Sequence, residues 1–404
     1  MDVQHALRFV HLLALFTACS LVHAEEPAPQ KAPDTRPSFV LLPSNTAGDP
    51  SNPMSNMEVI GDLDQGADTA DKPAGGGHWV IAPIPFRNEL LGAGLVLGAG
   101  YLYDEHLIGD ESRHSVAALA GMYAEGGSWA AMGGHRGYWS EDRFRTTVGA
   151  VTGEIQYSIA LDVAEQELRV PIAQGLSAVS IEGSMKIGHG GWIGLGFLGG
   201  TTDISLRGQE PAPIDGLTSS STTDLAAIRL SGEFDTRDSD LYPRHGHYAE
   251  LLLSVSREEF SSDDDYEILE MEWNDYIPLT DSQVLAWRIA GKTVDGETPF
   301  YAKAWFGSGA DLRGYTPGRY IADSMISAQA EWRLRTQTRW GFVAFAGVGK
   351  VADAIGAIDT DQWLPAAGAG IRFKLSESLP LNLRADFGWG RDDSTFTLAV
   401  GEAF

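Results

Sequence analysis

Phe234-Asp-Thr-Arg-Asp-Ser-Asp-Leu-Tyr-Pro-Arg-His-Gly246 and Gly307-Ser-Gly-Ala-Asp-Leu-Arg-Gly-Tyr315 decide how this chain is read. The first stretch sets acids and a proline ahead of a glycine between two apolar runs, the pattern of a strand–turn–strand corner. The second is a glycine-rich loop carrying one arginine. Around both, short segments alternate apolar and polar residues up to the last residue, Phe404. In 325–335, Ile326, Ala328, Ala330, Trp332 and Leu334 share one face; Ser327, Gln329, Glu331, Arg333 and Arg335 share the other. In 381–389, Leu381, Leu383, Ala385, Phe387 and Trp389 oppose Asn382, Arg384 and Asp386. In 395–404, Phe396, Leu398, Val400 and Phe404 align against Thr395, Thr397, Ala399 and Gly401. A period of two sends such sets to opposite faces of a sheet.

A soluble sandwich also has one dry and one polar face, but it needs far fewer strands than this chain offers. Sixteen segments carry strand signals: 90–103, 114–125, 128–139, 143–152, 155–170, 176–188, 191–205, 224–235, 246–256, 266–278, 283–293, 325–335, 340–350, 365–375, 381–390 and 394–404. The even number suits closure of an antiparallel bacterial barrel. Beyond the extreme N-terminus no stretch of ~18 uncharged apolar residues occurs, which excludes membrane-spanning helices but not strands of ~10 alternating residues. The 47 Gly suit close strand packing, and the 11 Trp and 12 Tyr suit membrane interfaces. The expected fold is therefore all-β, a sixteen-stranded antiparallel transmembrane β-barrel over 77–404. Residues 300–307 are placed in the long loop before the twelfth strand. Residues 160–172, with Ala164-Glu-Gln-Glu-Leu168, also have good helix propensity. Short turns fall at 280–282, 336–338 and 377–380, and long connections at 206–223, 295–324 and 352–362. This asymmetry is itself a barrel signature, with short turns on the periplasmic side.

The first 24 residues read as a secretory signal: Arg8, an apolar run from Phe9 to Leu21, then Val22-His23-Ala24. Cys19, the single cysteine, lies inside this segment; Thr17-Ala18-Cys19 offers an alternative lipoprotein cleavage site. Cleavage after Ala24 leaves no thiol, hence no disulfide and no Cys-ligated metal. Residues 25–76 are rich in Pro, Asp, Ser, Ala and Gly and read as a flexible tail that buries too little apolar surface to offset its ordering entropy. The net charge of −26 argues against nucleic acid as a partner. Asp263-Asp264-Asp265 reads as a solvated loop tip whose spacing matches no EF-hand.

Three places resemble the BamA/TamA superfamily of outer-membrane assembly and translocation barrels, the bacterial surface antigen family. Pro83-Ile-Pro85 with Gly92-Ala-Gly94 and Gly98-Ala-Gly100 resembles that family's first barrel strand. Asp235, Asp238, Pro243 and Gly246 fit its periplasmic turn. Leu312-Arg313-Gly314-Tyr315 resembles the motif at the tip of its long loop between strands 11 and 12. The resemblance spans roughly 83–404 and implies the outer membrane of a Gram-negative cell, with the loop folded into the lumen. It implies that Arg313 meets an acid there, and Glu331 is on the inner face of the twelfth strand. The family's second acid, on strand 13, falls on Gly347. Arg288, Lys292, Arg333, Arg372, Lys374 and Arg384 form a basic inner wall that competes for Glu331. Phe396, Leu398, Val400 and the terminal Phe404 resemble the signal read by the barrel-insertion machinery, with Glu402 at a lipid-facing alternate position. Implied partners are outer-membrane lipids and lipopolysaccharide, that machinery during biogenesis, and a client protein or lipid. The family's periplasmic POTRA domains do not fit into 25–76, which is too short and too polar.

Catalysis finds little support. No Gly-x-Ser-x-Gly elbow occurs, and Ser308 lies in the arginine loop without an evident base. His245 and His247 sit in a turn with no third ligand spaced nearby. No phosphate-cradling or Rossmann pattern is present, and no cofactor is expected. The leading expectation is insertion or export through a seam between first and last strands. The alternatives are an anion-passing or ligand-binding pore, or a structural surface antigen.

Overall fold

The computed structural model describes residues 78–103, 115–140, 142–163, 166–207, 220–239, 241–308, 311–358, 361–375 and 381–404. The expected signal (1–24) and tail (25–76) lie outside the described residues. Strands run β1 His78–Asn88, β2 Gly92–Tyr103, β3 Ser115–Ala124, β4 Trp129–Trp139, β5 Phe144–Val163, β6 Gln166–Ile187, β7 Gly191–Leu206, β8 Ser220–Asp235, β9 Gly246–Ser256, β10 Tyr266–Thr280 and β11 Gln283–Gly296. A short ribbon follows, β12 Ala304–Phe306 with β13 Tyr320–Ala322. The barrel resumes with β14 Ser324–Arg335, β15 Trp340–Ala352, β16 Leu364–Lys374, β17 Asn382–Gly390 and β18 Asp393–Val400. β1–β11 and β14–β18 close into one antiparallel barrel of sixteen strands, each paired with its neighbour in sequence, and β1 meets β18. Closure leaves no open edge, which is the condition for strands to cross a bilayer.

The strand count matches the sequence reading, but the parsing differs in two places. The first strand is β1, so Pro83 and Pro85 lie on it while the Gly92–Gly100 run lies on β2. The segments 143–152, 155–170 and 176–188 are not three strands but two long ones, β5 and β6, of 20 and 22 residues. Gly153, Pro171 and Gly175 fall between the expected segments, yet all three lie inside strands. Pro171 is tolerated because β7 begins pairing only at Ile172↔Leu206. Arg207, just after β7, donates to the Pro171 carbonyl at 2.9 Å, so the donor that proline lacks belongs to the last rung of that ladder, where proline is accepted. Residues 160–163 and 166–172 are strand rather than helix, zipped as Ala160↔Arg169 and Val163↔Gln166.

The lipid-facing side chains form the expected belt. Ile181, Val179, Leu119, Leu97 and Leu195 are exposed at mid-height. Aromatic girdles flank them: Trp79, Trp139, Phe144, Phe234 and Trp340 at one end, Tyr123, Trp129, Phe387 and Trp389 at the other. The short turns 188–190, 281–282 and 336–339 share an end with Phe404, so that end is periplasmic, and β7, β11 and β15 end at the extracellular side, where the long connections begin. The wall height is uneven. A tilted strand needs only ~9–11 residues to span the hydrocarbon, so β5 and β6 rise well above it, while β17 and β18, with 9 and 8 residues, barely cross. Inside, part of the wall of β2–β6 is apolar, with Val96, Ala118, Ala120, Met122, Met132 and Val151 packed around Leu91.

Ile181→Arg is expected to cost about 2–4 kcal/mol, the value for a cation at the bilayer midplane, whereas Phe144→Arg near the interface should cost about 0–1 kcal/mol. Urea midpoints of the barrel refolded in vesicles check the contrast.

Candidate functional site

The loop from Glu297 to Asp323 turns back into the lumen. Its first part packs on the tall wall: Tyr301 and Trp305 join Tyr157, Ile159, Ile172, Ile204, Tyr266 and Ile268 in one buried cluster. Trp305 donates its indole N–H to the Phe300 carbonyl at 3.0 Å and meets Tyr157 edge-on at 5.4 Å. Burial pushes the Tyr301 hydroxyl above its ordinary range, so it stays neutral. The β12–β13 ribbon then carries the tip deeper. Gly307 turns with φ +87°, its N–H held by Asp311 Oδ2 at 2.6 Å.

At the tip, Leu312 and Tyr315 are fully buried and Arg313 nearly so. Arg313 donates from Nη2 to Glu331 Oε2 at 2.6 Å, from Nη1 to Asp386 Oδ2 at 2.8 Å, and from Nε to Gln329 Oε1 at 3.1 Å. Its guanidinium lies 3.6 Å from the Phe345 ring centroid. All donors of a planar fork cannot be met by one acid, and two carboxylates on different strands divide them. Sequence reasoning named Glu331 but missed Asp386 as the second acid. The signal was there, since alternation put Asp386 on the inner face. The second acid comes from β17, not from β15. There Gly347 leaves room: a Cβ would stand 2.5 Å from Leu312 Cδ1 and 2.6 Å from the Ala328 carbonyl oxygen.

Further bonds fasten the tip. Gly314 has φ +110°, and a Cβ there would approach the Trp389 backbone at 3.0 Å, so glycine is required twice over. Its N–H reaches Thr395 Oγ1 at 3.1 Å. Tyr315 donates its hydroxyl hydrogen to the Pro365 carbonyl at 2.6 Å and accepts from Arg391 N. Thr316 bonds Asp393 through both its N–H and its hydroxyl. The loop thus grips β14 to β18 together, including the last strand.

The basic wall is a charge-paired network. Arg288 pairs with Glu272 at 2.8 Å and Lys292 with Glu270 at 3.4 Å. Arg333 meets Glu331 at 2.6 Å, Arg372 meets Asp386 and, at 2.6 Å, Glu402, and Arg384 meets Asp386 at 3.3 Å. Lys374 ends β16 at the periplasmic mouth. Glu402 is therefore inside, not on the lipid face as the alternation suggested. The reason is Gly401 at φ +95°, which breaks the period of two after Val400. Phe396 faces lipid, and Leu398 and Val400 are half-buried, but Phe404 leaves their face and turns inward against Tyr276, Val284 and Ala286. The Arg288 guanidinium stands 4.8 Å over its ring, and Arg333 donates to its terminal oxygen. Around the loop tip, Arg313, Arg333, Arg372 and Arg384 therefore face Glu331, Asp386 and Glu402.

The turn motif is structural. Asp235 takes the fork of Arg237 at 2.9 and 3.0 Å, and that guanidinium covers Tyr248 at 4.4 Å. Asp238 Oδ1 accepts the N–H groups of Arg244 and His245, Pro243 is buried, and Gly246 turns at φ +101°.

The seam is the other distinctive feature. β1 is paired along its whole length to β2, but to β18 at one register position, Arg87↔Leu398. Proline in a paired strand must aim its nitrogen away from the ladder, so Pro83 and Pro85 present their missing N–H groups to the seam. Just beyond the end of β1, a side chain substitutes for the backbone: Phe396 donates its N–H to Glu89 Oε1 at 3.0 Å.

A closed sixteen-stranded barrel, short-turned at the periplasm and with an arginine-tipped loop folded inward between its eleventh and twelfth strands, is the architecture of a bacterial outer-membrane protein. The model for the Omp85 superfamily domain matches residues 184–404, and the chain belongs to that superfamily. The fold is similar to BamA from Haemophilus ducreyi lacking POTRA domains 1–3, at 14% identity over 80% of this chain and 70% of that one, TM-score 0.57. It is also similar to CdiB from Acinetobacter baumannii (10% identity, 79% and 58% covered, TM-score 0.52) and CdiB from Escherichia coli (9%, 86% and 70%, 0.52). No curated protein sequence matches the chain.

Arg313→Ala and Glu331→Ala should each cost about 3–5 kcal/mol, since each strands a buried charge; the double variant should cost less than the sum. Thermal midpoints and the heat-modifiable folded band in gels report this. Gly347→Asp, although it restores the family's acid, should destabilise by about 1–3 kcal/mol through overpacking against Leu312, and the same assay reads it.

Proposed function

We propose that this barrel inserts or exports a polypeptide or lipid through the seam between β1 and β18. The observation that carries the reading is the single paired position, Arg87↔Leu398, beside two prolines that cannot donate across it. Parting this seam costs few main-chain bonds, whereas parting any other pair of neighbours breaks a ladder that follows the strands. The loop holds β14–β18 as one body, so β1 is the side that moves. Once it moves, β18 offers an edge to which an incoming strand can add by backbone pairing. Arg313 has a bracing role here: it fixes the wall against which the seam opens. The two CdiB structures and the BamA structure share the fold, and family membership supports a role in assembly or translocation rather than catalysis.

The test uses the purified protein in vesicles with a small urea-unfolded outer-membrane barrel as probe client. Oxidising an Arg87→Cys/Leu398→Cys pair should abolish the acceleration of client folding, and reduction should restore it. Undiminished acceleration with the cross-link in place would rule out seam opening. In the same assay, Pro83→Val/Pro85→Val restores two donors. It should raise the thermal midpoint and slow client insertion.

A further inference from the structure

The seam leaves part of a strand edge bare. In the register set by Arg87↔Leu398, Pro85 falls opposite Val400, the last residue of β18. Gly401 then turns the chain inward at φ +95° and donates its N–H to the Asn382 carbonyl of β17. Among the described residues, no strand pairs with 78–84 on the seam side. Alternate residues of an antiparallel strand aim N–H and C=O to the same side. Trp79 and Ile81 alternate with Pro83 and Pro85, so both point these groups at the gap. Their side chains are exposed outward, and Trp79 meets the Tyr101 ring at 5.1 Å. This edge therefore runs from the periplasmic interface into the hydrocarbon. An amide without an acceptor is costly there, and a bare edge invites a strand.

The gap is apolar on both faces. Outside stand Trp79 and Ile81; inside, Ile84 and Phe86 pack against the apolar cluster of the lumen wall. A strand that alternates polar and apolar residues would set its polar face against Ile84 and Phe86. A short run that is apolar at every position fits instead, and the chain carries one. Pro37-Ser-Phe-Val-Leu-Leu-Pro43 lies in the tail, outside the described residues, and holds the one run of four large apolar residues within 25–76. Prolines bound it, as suits a strand that must stop. The tail joins β1 at His78, the periplasmic end of the same edge. Residues 43–77 connect the two, and a chain of that length reaches on the order of 100 Å when extended. We propose that residues 39–42 add to the periplasmic half of β1 as a short strand and cap its edge. Their carbonyls accept from Trp79 and Ile81, and their side chains fill the gap on both faces. A second copy of this chain fits less well, because its own β1 brings two prolines to the edge. The cap rests on the edge alone; that a client must displace it rests on the seam reading.

Hydrogen exchange of the full-length protein in vesicles, read by mass spectrometry on peptides spanning 75–88, tests the cap without any client. The amides of Val80, Ala82, Ile84 and Phe86 point to β2 and serve as the internal reference. Phe39→Asn/Val40→Asn/Leu41→Asn/Leu42→Asn should let Trp79 and Ile81 exchange roughly tenfold faster or more, a gain of about two deuterons at early times. Val59→Asn/Ile60→Asn, elsewhere in the tail, should match wild type. Protection should not change on dilution, because the cap is intramolecular. The heat-modifiable band in gels verifies that each variant is folded. The proposal is overturned if wild type and the 39–42 variant exchange alike, or if Val59→Asn/Ile60→Asn loses as much protection. It is overturned equally if protection falls on dilution, which would make a second copy the occupant. The Arg87→Cys/Leu398→Cys cross-link tests the seam reading separately, so either can fail without the other.

Discussion

A polypeptide inside hydrocarbon has no water to receive its amide hydrogens, so every N–H and C=O needs a partner within the protein. This requirement shapes the molecule. It forces the closed sheet, it fixes neighbour order around the ring, and it confines proline to places where a ladder has ended. Pro171 sits above the end of β7, and Pro83 and Pro85 sit on the one junction that is barely zipped. The same rule that seals most of the wall therefore marks the line where it is weak. Glu89 shows how that line is kept shut without a full ladder, by lending a carboxylate to a main-chain amide of β18.

Opposite in character is the wall from β14 to β18. Here charges do the holding. Arg313 arrives on a loop and completes a set of guanidiniums and carboxylates drawn from several strands. Buried ion pairs contribute little net stability compared with apolar packing, but they are unforgiving of misplacement. A loop that must deliver one guanidinium to two acids has essentially one seat. That seat is shaped by small residues, Gly347 under Leu312 and Gly388 against Gly314. The barrel thus joins a rigid flank to a lightly bonded edge, and the two meet at β18, which belongs to both.

Much of this was legible in the sequence because a strand's period of two is hard to disguise. Glu331, Gln329 and Arg333 alternate with Ile326, Ala328 and Trp332 so regularly that their inward direction follows from spacing alone. The long strands were harder. Gly153, Pro171 and Gly175 are the residues that end strands in most contexts, and only the position of the neighbour's end shows why they do not do so here. Asp386 was placed on the correct face but not with Arg313, because pairing across the lumen depends on curvature rather than on period. Glu402 and Phe404 were placed outside because a single left-handed residue, Gly401, shifts the phase of everything after it, and glycine does not announce which hand it will take.

The inward turn at Gly401 also gives Phe404 a job. Its ring packs on Tyr276 of β10 and on Val284 and Ala286 of β11, under the Arg288 guanidinium, and its main-chain oxygen accepts from Arg333. The segment after β18 is thus moored to strands far around the ring. A β18 released along one side would pivot on that foot rather than swing free.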